Sequence, residues 1–130
     1  MGLFNLNNGY KMNQTNFANH IKSLGYTVSN YIPSQQFAGL ASCCSTNCNI
    51  IFYEFYNDNF AKDAYKAMKD RINDLCGMKQ VNGTNKQKLT VKTLNNRYLI
   101  ISRVENTMVC VDCDKKYEDM LNGILKQIGY

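Results

Sequence analysis

What this sequence lacks narrows it first. Its 130 residues include one proline and one histidine. A lone His20 excludes His-rich metal sites and mechanisms that need two imidazoles. No run of about 18 apolar residues occurs, so no transmembrane helix is expected. The chain has no Gly-rich phosphate loop, no G-x-S-x-G elbow and no H-E-x-x-H pair. No second carboxylate stands at a glycosidase spacing from Glu54. No charged-then-apolar leader precedes a small-residue cleavage site, and Met1-Gly2-Leu3-Phe4-Asn5-Leu6 carries Leu where a myristoylation signal needs Ser or Thr. These absences lead to the expectation of a cytoplasmic, non-enzymatic protein with reduced thiols and no cofactor.

The composition that is present is globular. Hydrophobic residues make up 45% and charged residues 19%, which argues against disorder. A compact chain of this length has a radius of gyration of about 14 Å and buries roughly two thirds of its unfolded surface. One domain therefore folds without help from metal or disulfide. Fifteen basic residues against ten acidic ones leave a charge of +5, a sign that permits an acidic partner.

Hydrophobic spacing sets out the elements. Residues 1–12 show no apolar period and are expected to be a flexible segment ahead of a single domain over 13–130. A first helix runs from about Gln14 to Leu24, with Phe17, Ile21 and Leu24 on one stripe. Asn13 or Thr15 caps its start and Gly25 its end. Extended segments follow at Tyr26–Tyr31, Phe37–Cys44 and Asn49–Tyr56, the last apolar on both alternating faces, as in a central strand covered on both sides. A second helix starts behind Asp58 or Asn59. It carries Ala61, Ala64, Tyr65, Met68, Ile72, Leu75 and Cys76 on its apolar side and ends at Gly77. Residues 78–86 are polar and are expected to form a loop around Asn82-Gly83.

A meander comes next: Lys88–Leu94, Arg97–Val104 and Thr107–Cys113, joined by Asn95-Asn96 and Glu105-Asn106 as two-residue turns. A third helix covers about Lys115 to Ile128 behind Asp114. The order α-β-β-β-α-β-β-β-α implies an α+β fold, with a largely antiparallel sheet of five to six strands and three helices. The first and last helices share an ending: Ile21-Lys22-Ser23-Leu24-Gly25-Tyr26 echoes Leu125-Lys126-Gln127-Ile128-Gly129-Tyr130. Common capping chemistry accounts for the echo more simply than duplication.

Several phrases stand in a fixed order: Leu24-Gly25-Tyr26, Ile51-Phe52-Tyr53-Glu54-Phe55, Ala61-Lys62, Ser102-Arg103-Val104-Glu105-Asn106-Thr107, Val109-Cys110-Val111-Asp112, Tyr117 and the closing Gly129-Tyr130. Over roughly residues 14–130 the chain resembles a small α+β domain found in short lipoproteins and membrane-tethered proteins of Gram-positive bacteria. That domain has no known activity, so the resemblance transfers no catalytic residue. It implies an independently folding α+β unit and a cell-envelope location as the alternative to the cytoplasm.

Three groups of residues are candidates for chemistry. The first is basic. With Asn95-Asn96 as a two-residue turn, Lys92 stands opposite Leu99 and Lys88 opposite Arg103. Lys88, Lys92, Arg97 and Arg103 then share one sheet face, interleaved with Leu94, Leu99, Ile101, Met108 and Cys110. Such a face suits a protein or cell-envelope partner, or, as the alternative, a nucleic-acid backbone. It lacks the exposed aromatics that stack single-stranded bases.

The second group is the cysteines. Cys44, Cys48, Cys110 and Cys113 would be the ligands of a metal or thiol site, alongside Cys43. Against this, neither cluster has a knuckle-forming Gly or Pro, and Cys110 and Cys113 fall on opposite faces of a strand, so buried free thiols, or else one or more disulfides, are expected before a metal. The third group is isolated: His20, expected to be a packed boundary residue, and Glu54, expected to pair with Arg103 or another sheet cation. Edge strands such as Tyr26–Tyr31 leave a homodimer open.

Overall fold

The computed structural model describes residues 12–31, 37–45, 48–72 and 78–130. Among these residues the elements are α1 (Gln14–Ser23), β1 (Ser29–Tyr31), β2 (Phe37–Cys44), β3 (Cys48–Phe55), α2 (Asp58–Arg71), β4 (Lys79–Asn82), β5 (Lys86–Lys92), β6 (Arg97–Val104), β7 (Thr107–Asp114) and α3 (Glu118–Gln127), the last entered through a single 3-10 turn at Lys115–Tyr117. Pro33, Leu75, Cys76 and Gly77 lie outside the described residues.

The strands form one antiparallel sheet of seven, ordered β1-β2-β3-β7-β6-β5-β4. The fold is α+β with three helices, as expected, but the strand count exceeds the expected five to six. The additional strand is β4, in the stretch expected to be a loop. All four of its residues are exposed, so no apolar alternation marked it. It exists because β5 offers a free edge, on which Lys79 pairs with Thr90 and Asn82 with Gln87. The chain leaves β3, crosses one sheet face as α2, and starts again at the far edge. The meander β4-β5-β6-β7 then returns inward until β7 pairs with β3.

Each face has its own helices and its own core. On the first face, Phe17 and Ile21 of α1 and Leu121, Ile124 and Leu125 of α3 bury Ala41, Ile50, Phe52, Tyr98, Ile100, Val109 and Val111. Phe17 stacks on Phe52 with ring centroids 4.7 Å apart, and Tyr130 meets Phe52 edge-on at 6.4 Å. Met12, expected in the flexible segment, is buried in this core. It directly precedes the N-cap Asn13 and shares a cluster with Phe17, the two positions of a hydrophobic staple. On the second face, Ala61 and Tyr65 of α2 cover Phe55, Leu89, Val91, Ile101 and Met108. The expectation that β3 is covered on both sides is met, since Phe52 belongs to the first core and Phe55 to the second.

The echoed endings form the same cap. Tyr26 N–H donates to Ile21 C=O and Gly25 N–H to Lys22 C=O; Tyr130 N–H donates to Leu125 C=O and Gly129 N–H to Lys126 C=O. These are the paired bonds of the Schellman motif. Gly25 and Gly129 have φ of +93° and +90°, a region that a side chain disfavours.

Candidate functional site: a basic cleft beside the second helix

The register between β5 and β6 differs from the expected one by one residue. Lys92 pairs with Tyr98 and Lys88 with Ser102, while Arg103 pairs with Gln87. The cause is the turn. Thr93 N–H donates to Arg97 C=O, so the loop holds three residues, Leu94-Asn95-Asn96, rather than two. Asn96 takes a φ of +62°, as the last residue of a three-residue hairpin does. Leu94 sits at the tip, 89% exposed. Because side chains alternate, a slip of one residue sends a strand's whole set to the other face.

The expected four-cation face is therefore split. Lys88 and Lys92 lie on the first face, where Lys88 Nζ donates to Tyr130 O at 3.4 Å and Lys92 pairs with Glu118 of α3 at 3.4 Å. Burial pulls the Lys88 ammonium below its usual range. Arg97 and Arg103 lie on the second face. Arg97 clasps Asp112 through Nη2 at 2.8 Å and Nε at 2.9 Å, and the hydrogen bond to that carboxylate raises its already high pKa. The register between β6 and β7, set by Glu105-Asn106, is as expected, with Val104 opposite Thr107.

Arg103 turns instead toward α2. It is 1% exposed. Its Nε donates to Gln87 Oε1 at 2.7 Å, Nη1 to Glu105 C=O at 2.7 Å and Nη2 to Thr84 C=O at 3.3 Å. All three acceptors are neutral. Burial lowers its pKa, with Asp58 and Tyr65 acting in the opposite direction.

Above Arg103 lies a cavity of about 550 Å³, walled by α2 and the β4–β5 hairpin. Asn57 caps α2 by accepting from Phe60 N–H at 2.9 Å, in place of the expected Asp58 or Asn59. From there the helix sets Ala61 and Tyr65 into the core and Lys62, Lys66 and Lys69 along the cavity. Spacings of four and three put those lysines on one stripe. Among the described residues the lining holds four cations, Lys62, Lys66, Lys69 and Arg103, against one carboxylate, Asp63. Tyr65 also lines it. The Tyr65 hydroxyl is buried and has no hydrogen-bond partner among the described residues; burial pushes its pKa up while Arg103 pulls it down. The sequence had shown Lys62, Lys66 and Lys69 as the solvent side of a helix. Their helical spacing was legible, but the wall facing them was not.

The other candidates are dispersed. Cys44 and Cys110 lie on the second face and Cys48 and Cys113 on the first, as strand alternation from the pairs Cys44–Asn49, Asn49–Asp112 and Cys48–Cys113 dictates. The four candidate ligands do not converge, and no group of three or more metal-ligating side chains forms among the described residues. Burial pushes the Cys110 thiol up to about 12.

Glu54 does not pair with Arg103, which is on the opposite face. Its Oε1 accepts from Gln14 N–H at 2.9 Å, placing a carboxylate at the N-terminus of α1, where the helix dipole favours it. His20 is buried rather than at a boundary. Its pKa is lowered, burial outweighing the opposing influence of the Gln127 side chain. It sits six residues along α1 from Gln14, about 9 Å of helix rise, so Glu54 and His20 do not form one site.

No family model matches the chain. Comparison with curated proteins finds no match. Among solved structures, a GTP binding regulator from Thermotoga maritima is similar at a TM-score of 0.48 and 12% identity, over 75% of this chain and 71% of that one. No helix among the described residues is long and apolar enough to cross a membrane.

Proposed function

We propose that this protein is a non-enzymatic binding module that receives an acidic protein partner in the cleft between α2 and the β4–β5 hairpin. The carrying observation is the lining of that cleft: among the described residues, four cations against one carboxylate, with one cation, Arg103, buried among neutral acceptors. A buried guanidinium retains attraction for an anion because little water screens it. Lys62, Lys66 and Lys69 extend the attraction along the helix, so an acidic segment gains several contacts at once. The reading holds in the cytoplasm and, where the resemblance to envelope-tethered domains applies, at the cell envelope.

A nucleic-acid backbone offers the same sign of charge. The described lining has one aromatic, the buried Tyr65, and so no platform for stacking bases. Fluorescence anisotropy separates the two, using a labelled oligoglutamate peptide and a single-stranded DNA of equal charge. The peptide is expected to bind more tightly, to weaken as salt rises, and to lose at least tenfold in affinity on combined Lys62→Glu, Lys66→Glu and Lys69→Glu substitution. Tighter DNA binding with a steep salt slope transfers the cleft to nucleic acid. Binding that ignores the substitutions removes the cleft from the function altogether.

A further inference from the structure

At the end of the sheet remote from Glu54, three cysteines share the first face: Cys43 of β2, Cys48 of β3 and Cys113 of β7. Cys48 and Cys113 are direct cross-strand partners. Antiparallel partners come in two kinds, and hydrogen bonds outside the strand interiors show which kind this is. Phe55 N–H donates to Asn106 C=O at 2.7 Å, which makes that pair hydrogen-bonded. Cys48–Cys113 lies seven steps along the same register, so by alternation it is a non-hydrogen-bonded pair. Two further bonds agree. Ser45 N–H donates to Cys48 C=O at 2.8 Å, turning the Cys48 backbone toward β2. Lys115 N–H donates to Asn96 C=O at 2.7 Å, which by the same alternation turns the Cys113 backbone toward β6, where it faces Tyr98.

Non-hydrogen-bonded partners have Cα atoms about 4.5 Å apart, within the range of about 4.4–6.8 Å that a disulfide spans. The two side chains point the same way from neighbouring strands, and each thiol acts on the protonation of the other. Cys113 is fully buried and Cys48 half-buried, so Cys48 is the point of entry.

We propose that Cys48 and Cys113 are a disulfide-forming site that ties β3 to β7 when the protein meets a small-molecule disulfide such as oxidised glutathione. The Cys48 thiol gives up its proton to solvent, attacks one sulfur of the small disulfide and expels one thiol. Cys113 then gives up its proton and attacks Cys48 Sγ, expelling the second. Two protein thiols are oxidised, and one small disulfide is reduced to two thiols. The bond joins strands that are far apart in sequence and closes a loop of about 65 residues. Burial and the neighbouring Cys113 and Cys43 thiols hold the Cys48 pKa at about 12, so the first step is slow at neutral pH.

The test treats the whole chain with oxidised glutathione. Intact mass, peptide mapping and thermal unfolding are followed, with Cys48→Ser, Cys113→Ser and Cys110→Ser variants alongside. The expected result is loss of two hydrogens, a Cys48–Cys113 peptide, and an unfolding midpoint higher by roughly 10 °C that dithiothreitol reverses. Cys110→Ser retains all three signs, and Cys48→Ser and Cys113→Ser lose them. A glutathione adduct that persists on Cys48, a linkage between other cysteines, or an unchanged mass after prolonged treatment at pH 9 each overturns the proposal. None of these readouts depends on the basic cleft.

Discussion

The two faces of one sheet are finished differently. The first is closed by two helices, α1 and α3, which end in the same Schellman cap and bring Phe17, Leu121, Leu125 and Tyr130 onto Phe52 and Ile100. The second carries α2, whose apolar stripe is narrow: among the described residues Ala61 and Tyr65 are its fully buried members. One helix cannot cover a seven-stranded sheet, whose neighbouring strands lie about 4.8 Å apart. The uncovered margin, between α2 and the β4–β5 hairpin, is where the cations collect. A dense core and an open basic cleft come from one sheet, by unequal cover.

The largest effect should come from the closed face. Phe52→Ala removes a ring stacked on Phe17 and touched by Tyr130. Its expected cost is about 3–5 kcal/mol in urea unfolding. Leu89→Ala on the second face should cost about 2–4 kcal/mol. A smaller loss at Phe52 than at Leu89 would reverse the contrast between the faces.

Next is Arg103→Leu. It leaves Gln87 Oε1 and the Glu105 and Thr84 carbonyls without their donor, for an expected loss of about 2 kcal/mol. The β4–β5 turn, which Arg103 holds through Thr84, should then gain amide exchange, while amides of α1 and α3 keep their order of protection. Uniform loosening across both faces would show that the cleft floor is not a local structure.

The smallest effects sharpen the symmetry between the two caps. Gly25→Ala and Gly129→Ala each place a side chain at positive φ, with an expected cost of about 1 kcal/mol in thermal or urea unfolding. No atom lies near enough to Gly25 for a methyl group to clash, so backbone conformation alone accounts for that cost. Equal costs at the two sites would identify the echoed sequences as equivalent caps.

Much of this was legible in the chain, and specific residues show why. The stripes of α1 and α2 repeat at helical spacing over two turns or more, a signal of local origin. Glu105-Asn106 marked a two-residue hairpin, and β6 and β7 pair as it requires, Glu105 taking a φ of +53°. The strand β4 was not legible. Its residues are exposed, with Val81 at 70%, and only the free edge of β5 makes the segment extended. The candidate cleft was half visible: Lys62, Lys66 and Lys69 had the spacing, while Arg103 was assigned to the wrong companions.

That misassignment came from one loop residue. Asn95-Asn96 fits a two-residue turn and the end of a three-residue turn equally well, and the choice moves β5 by one position against β6. Local sequence determined the helices, their caps and the alternation along each strand, because those depend on residues within a turn or two. Tertiary structure decided which strands met, which face each cation joined, and that Cys48 found Cys113 across 65 positions of chain. Such pairings are set by the packing of both faces at once, since a strand's register is fixed only when its whole apolar set is buried against its neighbours.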